Sequence, residues 1–247
     1  MSNKDLTVLK VKDFSGKEFA LDKELHPNLP RHPFLMLLSS APRSGKTVTL
    51  LNLIASSNYY NIRDKDDEPY FNEVFWLSPS AEHDPQVKGV LSKMDNVHIL
   101  SDPKDLANLH TILSTVIADQ TKLLKEKEPM KRICFLLDDM IGFLTEDLAK
   151  ICTRYRHFGL TIIVSIQKYS KAPLLLRTCI GHFITFKQNN GRERERITDE
   201  LGEAFMPPKE FEQIMQTVTE QKYQFLYLNM EKLCMYKNFD TLLYDAS

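Results

Sequence analysis

Apolar residues fall along this chain as short continuous runs separated by longer stretches of helical periodicity. Residues 33–39 (PFLMLLS) and 133–137 (ICFLL) are apolar almost throughout, and 72–78 (NEVFWLS), 161–166 (TIIVSI) and 182–187 (HFITFK) are further short runs with apolar centres. Runs this short without polar alternation predict strands covered on both faces, as in a parallel sheet. A helix follows the first run, carrying Val48, Leu50, Leu51, Leu53 and Ile54. Another is expected to start with Asp102 as N-cap and Pro103 at the first helical position, with Leu106, Leu109, Ile112, Leu113, Val116 and Ile117 as its apolar stripe. Residues 145–158 read as a helix stopped by Gly159, and 193–205 and 209–219 as two more. A β-hairpin turning at Ser15-Gly16-Lys17 is expected over residues 6–22, then a connector holding Pro27 and Pro30. Residues 64–69 read as a charged loop, and 223–228 with 233–236 as a closing hairpin over Asn229-Met230-Glu231. The alternation predicts an α/β fold with a mainly parallel central sheet flanked by helices, plus N- and C-terminal β-hairpins. One domain over residues 1–247 accommodates it: hairpin and connector at 1–32, core at 33–187, C-terminal helices and hairpin at 188–247.

The junction after the first apolar run carries candidate chemistry. Ser40-Ala41-Pro42-Arg43-Ser44-Gly45-Lys46-Thr47 fits the Walker A pattern except at its first position, where Ser40 replaces glycine. Phosphate oxygens need several donors at once, and the backbone N–H groups of a loop entering a helix supply them. All eight residues are therefore expected to line a bound triphosphate. Gly45 lets the backbone approach closely, Lys46 reaches the β- and γ-phosphates, and Thr47 offers its hydroxyl to Mg²⁺. Ser40 can hold its position only if its backbone angles there are ordinary.

The third run ends in Asp138-Asp139, the Walker B arrangement. Asp138 is expected in the Mg²⁺ shell beside Thr47, and Asp139 to orient or deprotonate the attacking water. Asp139 is one methylene shorter than the glutamate common as base in related ATPases. Gln167 ends the fourth run, where its amide could sense the γ-phosphate or hold the water. Each residue also has a bland reading: Lys46 solvated, Asp138 an N-cap, Asp139 surface charge, Gln167 a loop amide. Their joint position at the ends of apolar runs favours ATP and Mg²⁺. GTP is disfavoured because no NKxD-like base-reading segment follows the core strands.

Composition narrows the setting. The chain has 247 residues, 43% apolar and 26% charged, with a net charge of -1. A protein that coats nucleic acid usually carries a basic surplus, so any DNA contact must come from local basic loops. Two segments are locally basic, 122–132 (KLLKEKEPMKR) and 187–196 (KQNNGRERER). Either could reach phosphates, although a solvated helix end or loop laced with Glu–Lys pairs is the commoner reading of each taken singly. No apolar run is long enough to span a membrane, and the first residues lack the apolar stretch of a secretory signal. A cytosol-like compartment is expected. Cys134, Cys152, Cys179 and Cys234 are scattered with no CxxC, so they read as reduced and mostly buried.

Taken together, strand-SGKT-helix, NEVFWLSP, ICFLLDD and RYRHFGLTIIVSIQ resemble the genome-packaging ATPases of large DNA viruses and virophages, the poxvirus and virophage type of the FtsK/HerA superfamily. The resemblance runs over roughly residues 33–187. It implies a RecA-like core and a homo-oligomeric ring, pentamer or hexamer, with ATP between neighbours. It also implies an arginine that completes the next subunit's site: Arg156 first, with Arg154 and Arg177 as runners-up. The implied function is an ATP-driven translocase that pumps double-stranded viral DNA into a preformed capsid. Capsid proteins would be partners, there would be no membrane, and the setting would be the host cytoplasm, a viral factory or the virion. The competing readings are a helicase or DNA-pumping ATPase of the same superfamily, a small-molecule kinase, and a nucleotide-gated assembly protein that turns nothing over. The Asp-Asp pair and Gln167 have no natural role in a kinase.

Overall fold

The computed structural model describes residues 24–246, so the expected hairpin at 6–22 lies outside the described residues. The five apolar runs form strands β1 (Leu35–Ser39), β2 (Glu73–Leu77), β4 (Ile133–Asp138), β5 (Leu160–Ile166) and β6 (His182–Thr185). A further strand, β3 (Val97–Leu100), pairs parallel with β2 at the sheet edge. Its residues are half-buried or exposed, which is why no continuous apolar run announces it. The sheet order is β3-β2-β4-β5-β1-β6 in parallel, and β7 (Leu226–Asn229), β8 (Cys234–Lys237) and β9 (Thr241–Asp245) continue it in antiparallel fashion. The C-terminal hairpin is thus not a separate cap. It extends the central sheet, which has nine strands among the described residues.

Alternate residues of the central strands feed two cores, because successive side chains of a strand point to opposite faces. On one face Met36, Leu38, Trp76, Leu136 and Ile163 pack with Leu50 and Leu53 of α1 (Lys46–Ala55) and Val87 and Leu91 of α2 (Pro85–Leu91). On the other, Leu35, Leu37, Phe135, Leu137, Ile162 and Val164 meet the remaining helices. These are α3 (Pro103–Ala107), α4 (Leu109–Glu126), α5 (Glu146–Cys152), α6 (Leu174–Cys179), α7 (Gly191–Glu200) and α8 (Pro208–Val218). Every residue of β4 and β5 is buried, as expected for central strands covered on both sides.

Three helical expectations are refined. The stripe beginning at Leu106 is split at Asn108 into α3 and α4. The helix expected over 145–158 ends at Cys152 and resumes as a 3₁₀ turn, Tyr155–Phe158, closed by Gly159 at φ 56. The helix expected over 193–205 starts two residues earlier, at Gly191 with Asn190 as cap, and passes into a 3₁₀ turn, Gly202–Ala204. Cys134, Cys152 and Cys234 are buried and Cys179 exposed, all four as free thiols. Among the described residues, no helix is long and apolar enough to cross a membrane.

Candidate active site

The C-terminal ends of β1, β4 and β5 form one rim, and the expected side chains meet there. The chain leaves β1 through Ser40, whose N–H donates to the Ile166 carbonyl at 3.2 Å. Ser40 is fully buried and is not among the residues with positive φ, so serine is accommodated without strain. The left-handed positions of the loop fall instead at Arg43, φ 61, and Gly45, φ 109. Gly45 is the N-cap of α1 and gives it no side-chain cap. By contrast, Asp84, Asp102, Thr145 and Asn190 cap α2, α3, α5 and α7. The first N–H groups of α1 thus stay directed at the loop, where an anion would satisfy them and the helix dipole would favour it. Ser44 Oγ is buried there without a hydrogen-bond partner.

Lys46 is only 8% exposed, and its ammonium folds back to donate to the carbonyls of Ser40 at 2.5 Å and Ala41 at 2.8 Å. Burial lowers its pKa, against the opposing pull of Asp138 and Asp139. Thr47 Oγ1 donates to Asp138 Oδ2 at 2.9 Å. Burial pushes the Asp138 carboxyl up, and the Thr47 hydroxyl and Lys46 are among the groups that pull it back. A buried acid and a hydroxyl side by side form the oxygen pair that a hard divalent cation would complete with phosphate oxygens and water.

Asp139 leaves the strand with φ 56, its N–H donating to the Ser165 carbonyl at 3.0 Å. That turn aims its carboxylate at Gln167, whose Nε2 donates to both oxygens, at 3.0 and 2.9 Å. Gln167 therefore orients the second acid. Its own loop is clamped from α7: buried Glu193 accepts the Ser170 N–H at 3.1 Å and the Ser170 hydroxyl, and Glu200 accepts from Tyr169 at 3.0 Å. A cleft of ≈ 540 Å³ runs over these groups, also lined by Pro42, Arg43, Val48, Ser80, Gln86, Lys222 and Tyr223. Of these, Ser80 was legible in principle, since it follows the second apolar run at its C-terminal end. Lys222 and Tyr223 carry no local signal.

Arg156 is not brought to this rim. It precedes β5, at the opposite end of the strands, with its guanidinium paired to Glu231 and its Nε donating to the Tyr155 hydroxyl at 2.8 Å. Its side chain is still 62% exposed. Arg177 is nearly buried in a pair with Glu200, and Arg154 stacks over Phe158. Of the basic segments, 122–132 ends at the Arg156 rim, with Lys131 paired to Glu73 at 2.8 Å and Arg132 buried against Tyr70. Segment 187–196 leaves the rim of the phosphate loop. Arg194 is engaged by Glu212 and Arg196 by Glu200, while Lys187 and Arg192 are exposed.

The family model of the Poxvirus A32 protein matches residues 22–201. The solved structure of B204, the DNA-packaging ATPase from Sulfolobus turreted icosahedral virus, is similar with a TM-score of 0.57 and 12% identity, covering 83% of this chain and 97% of that one. The genome packaging NTPase B204 from Sulfolobus turreted icosahedral virus 2 in complex with AMPPCP gives 0.54 and 14%, over 83% and 96%. EccC (ATPases 2 and 3) from Thermomonospora curvata gives 0.52 and 12%, over 87% of this chain and 37% of that one. At these identities the likenesses bear on the fold. No curated protein matches the sequence.

Proposed function

The chain belongs to the Poxvirus A32 protein family, and from that membership we propose that it hydrolyses ATP to drive double-stranded viral DNA into a preformed capsid. It is a P-loop ATPase. One observation carries the mechanism: Lys46, Thr47, Asp138, Asp139 and Gln167 converge on one cleft at the C-terminal rim.

The amides of residues 43–47 take up the phosphates. Lys46 exchanges the Ser40 and Ala41 carbonyls for the β- and γ-phosphate oxygens, a like-for-like replacement of acceptors. Thr47 and Asp138 would hold Mg²⁺, which when bound neutralises charge on the phosphate oxygens. Asp139, held by Gln167, accepts a hydrogen bond from the attacking water and fixes its direction. Arg156 faces away from its own cleft, so the reading gives it to a neighbouring copy in a ring, where its charge meets the transferring phosphoryl group. Lys187 and Arg192, exposed in the segment that leaves this rim, are the side chains offered to DNA phosphates, which carry no sequence information and suit transport of any duplex. The setting is the host cytoplasm or viral factory, with capsid proteins as further partners.

The test is ATP turnover of the full chain with and without long double-stranded DNA, comparing wild type with Lys46→Ala and Asp139→Asn. The expected result is DNA stimulation that weakens with salt and is lost in both variants. Tight nucleotide binding with no turnover in wild type would instead indicate a nucleotide-gated assembly protein. Turnover that ignores DNA would remove the motor and leave the ATPase.

A further inference from the structure

The order β4-β5-β1-β6-β7 places the phosphate loop between two sets of groups. Asp138 and Gln167 leave β4 and β5 on one side of it. On the other side, β6 pairs antiparallel with β7, Thr185 opposite Leu226, so the residues entering β7 emerge at the same rim. The acids mark the end of the cleft where the γ-phosphate is handled. The remainder of a nucleotide must then extend along another side of the loop, and Tyr223 stands on the far flank.

Tyr223 is the one aromatic among the described residues lining the cleft, and it is 57% exposed. Its ring edge lies against the phosphate loop: a side chain on Gly45 would come 3.1 Å from Tyr223 Cδ1. Its backbone is left-handed, φ 71, an unfavourable conformation for a bulky residue. The surrounding turn enforces it. Asn238 Oδ1 accepts the Phe225 N–H at 3.2 Å, and Asn238 Nδ2 donates to Gln224 at 2.8 Å. Lys222 Nζ sits 4.8 Å from the ring centroid. A large aromatic held exposed, at conformational cost, beside a phosphate-binding loop offers a stacking surface to the cleft even with Lys222 over part of its ring.

We propose that Tyr223 stacks on the nucleobase of the bound nucleotide, with half-exposed Val48 as the apolar contact across the cleft. The inference rests on the reading of residues 40–47 as a triphosphate loop and assigns the base end of that ligand. Stacking uses the face of the base, so the contribution belongs to nucleotides and is missing for a bare polyphosphate.

Calorimetric titration of the full chain with Mg·AMPPNP and with Mg·tripolyphosphate separates the two readings. Tyr223→Asn removes the ring while keeping a residue at ease with positive φ, so the turn survives. It is expected to weaken the nucleotide roughly 10-fold and to leave tripolyphosphate unchanged, with Tyr223→Phe close to wild type. Tyr223→Trp is expected to show fluorescence quenching by the nucleotide and none by tripolyphosphate; the single native tryptophan, Trp76, is fully buried. Lys46→Ala should lose both ligands. Nucleotide binding within about 2-fold of wild type in Tyr223→Asn, or equal weakening for both ligands, overturns the stacking proposal while the phosphate loop stands. Wild type binding neither ligand overturns both.

Discussion

The two rims of the parallel sheet are built on opposite plans. At the C-terminal rim charges are left with weak or provisional partners: Lys46 rests on carbonyls of its own loop, Asp138 is buried beside the hydroxyls of Thr47 and Ser165, and Ser44 Oγ has no partner. At the N-terminal rim the charges are settled. Lys131 pairs with Glu73, Arg156 with Glu231, and His32 and His182 are packed neutral among aromatic rings, although His182 Nε2 is buried without a hydrogen-bond partner. A fold gains most from satisfying its buried polar groups, so a rim where an ammonium and a carboxylate rest on provisional partners is suited to a charged ligand, as the proposed function requires. On the proposed ring, the exposed but oriented Arg156 of this rim is the group offered to a neighbouring copy.

The strongest challenge to that contrast is Arg156→Ala. Turnover of the assembled protein is expected to fall about 1,000-fold, the range for an arginine supplied in trans, while nucleotide affinity of the separated subunit holds. Mixing it with Lys46→Ala subunits should restore part of the activity, since each supplies what the other lacks. Failure to complement would confine Arg156 to its pair with Glu231. Next is Gln167→Ala, which leaves Asp139 unheld. A loss of about 100-fold in kcat with little change in KM is expected, because in the proposed mechanism the group acts on the water and not on the nucleotide.

The third prediction concerns stability and the settled rim. Burial lowers the pKa of His32 from 6.5 to about 3, and that of His182 likewise to about 3. The unfolded chain binds these protons below pH 6.5 and the folded chain does not, so stability falls as pH drops from 6.5 toward 3. Each histidine contributes a slope of about 1.4 kcal/mol per pH unit across that window. Denaturant titrations from pH 7 to 4.5 check it, and a His182→Asn variant should remove about half of the histidine contribution to the slope. An unchanged curve would mean that the N-terminal rim is wetter than its packing implies.

How much of this was legible in the sequence follows from how local each feature is. The loop 40–47 and the Asp138-Asp139 pair are each contiguous in sequence, and the apolar runs before them fix their rim, so strand ends alone were enough to bring Lys46, Thr47, Asp138 and Asp139 to one cleft. Strand β3 escaped because an edge strand with His98 exposed has no apolar run to show. Helix α2 carries an Asp84-Pro85 start like the Asp102-Pro103 start of α3, but its seven residues include Gly89 and give too short a stripe. Tyr223 could not be placed, because its position depends on β7 pairing with β6 some 40 residues away in the chain, and nothing nearby encodes that pairing. The pair of Arg156 with Glu231 is hidden for the same reason.

The left-handed turn at Asp139 bears on which replacements the position would admit. Glycine, asparagine and aspartate are the residues most at ease there, and only aspartate among them brings a carboxylate. Glutamate would restore the reach of the longer side chain but adopts that backbone less readily. In a saturation library at position 139, selection for turnover should therefore return aspartate alone, whereas selection for folding should return all three.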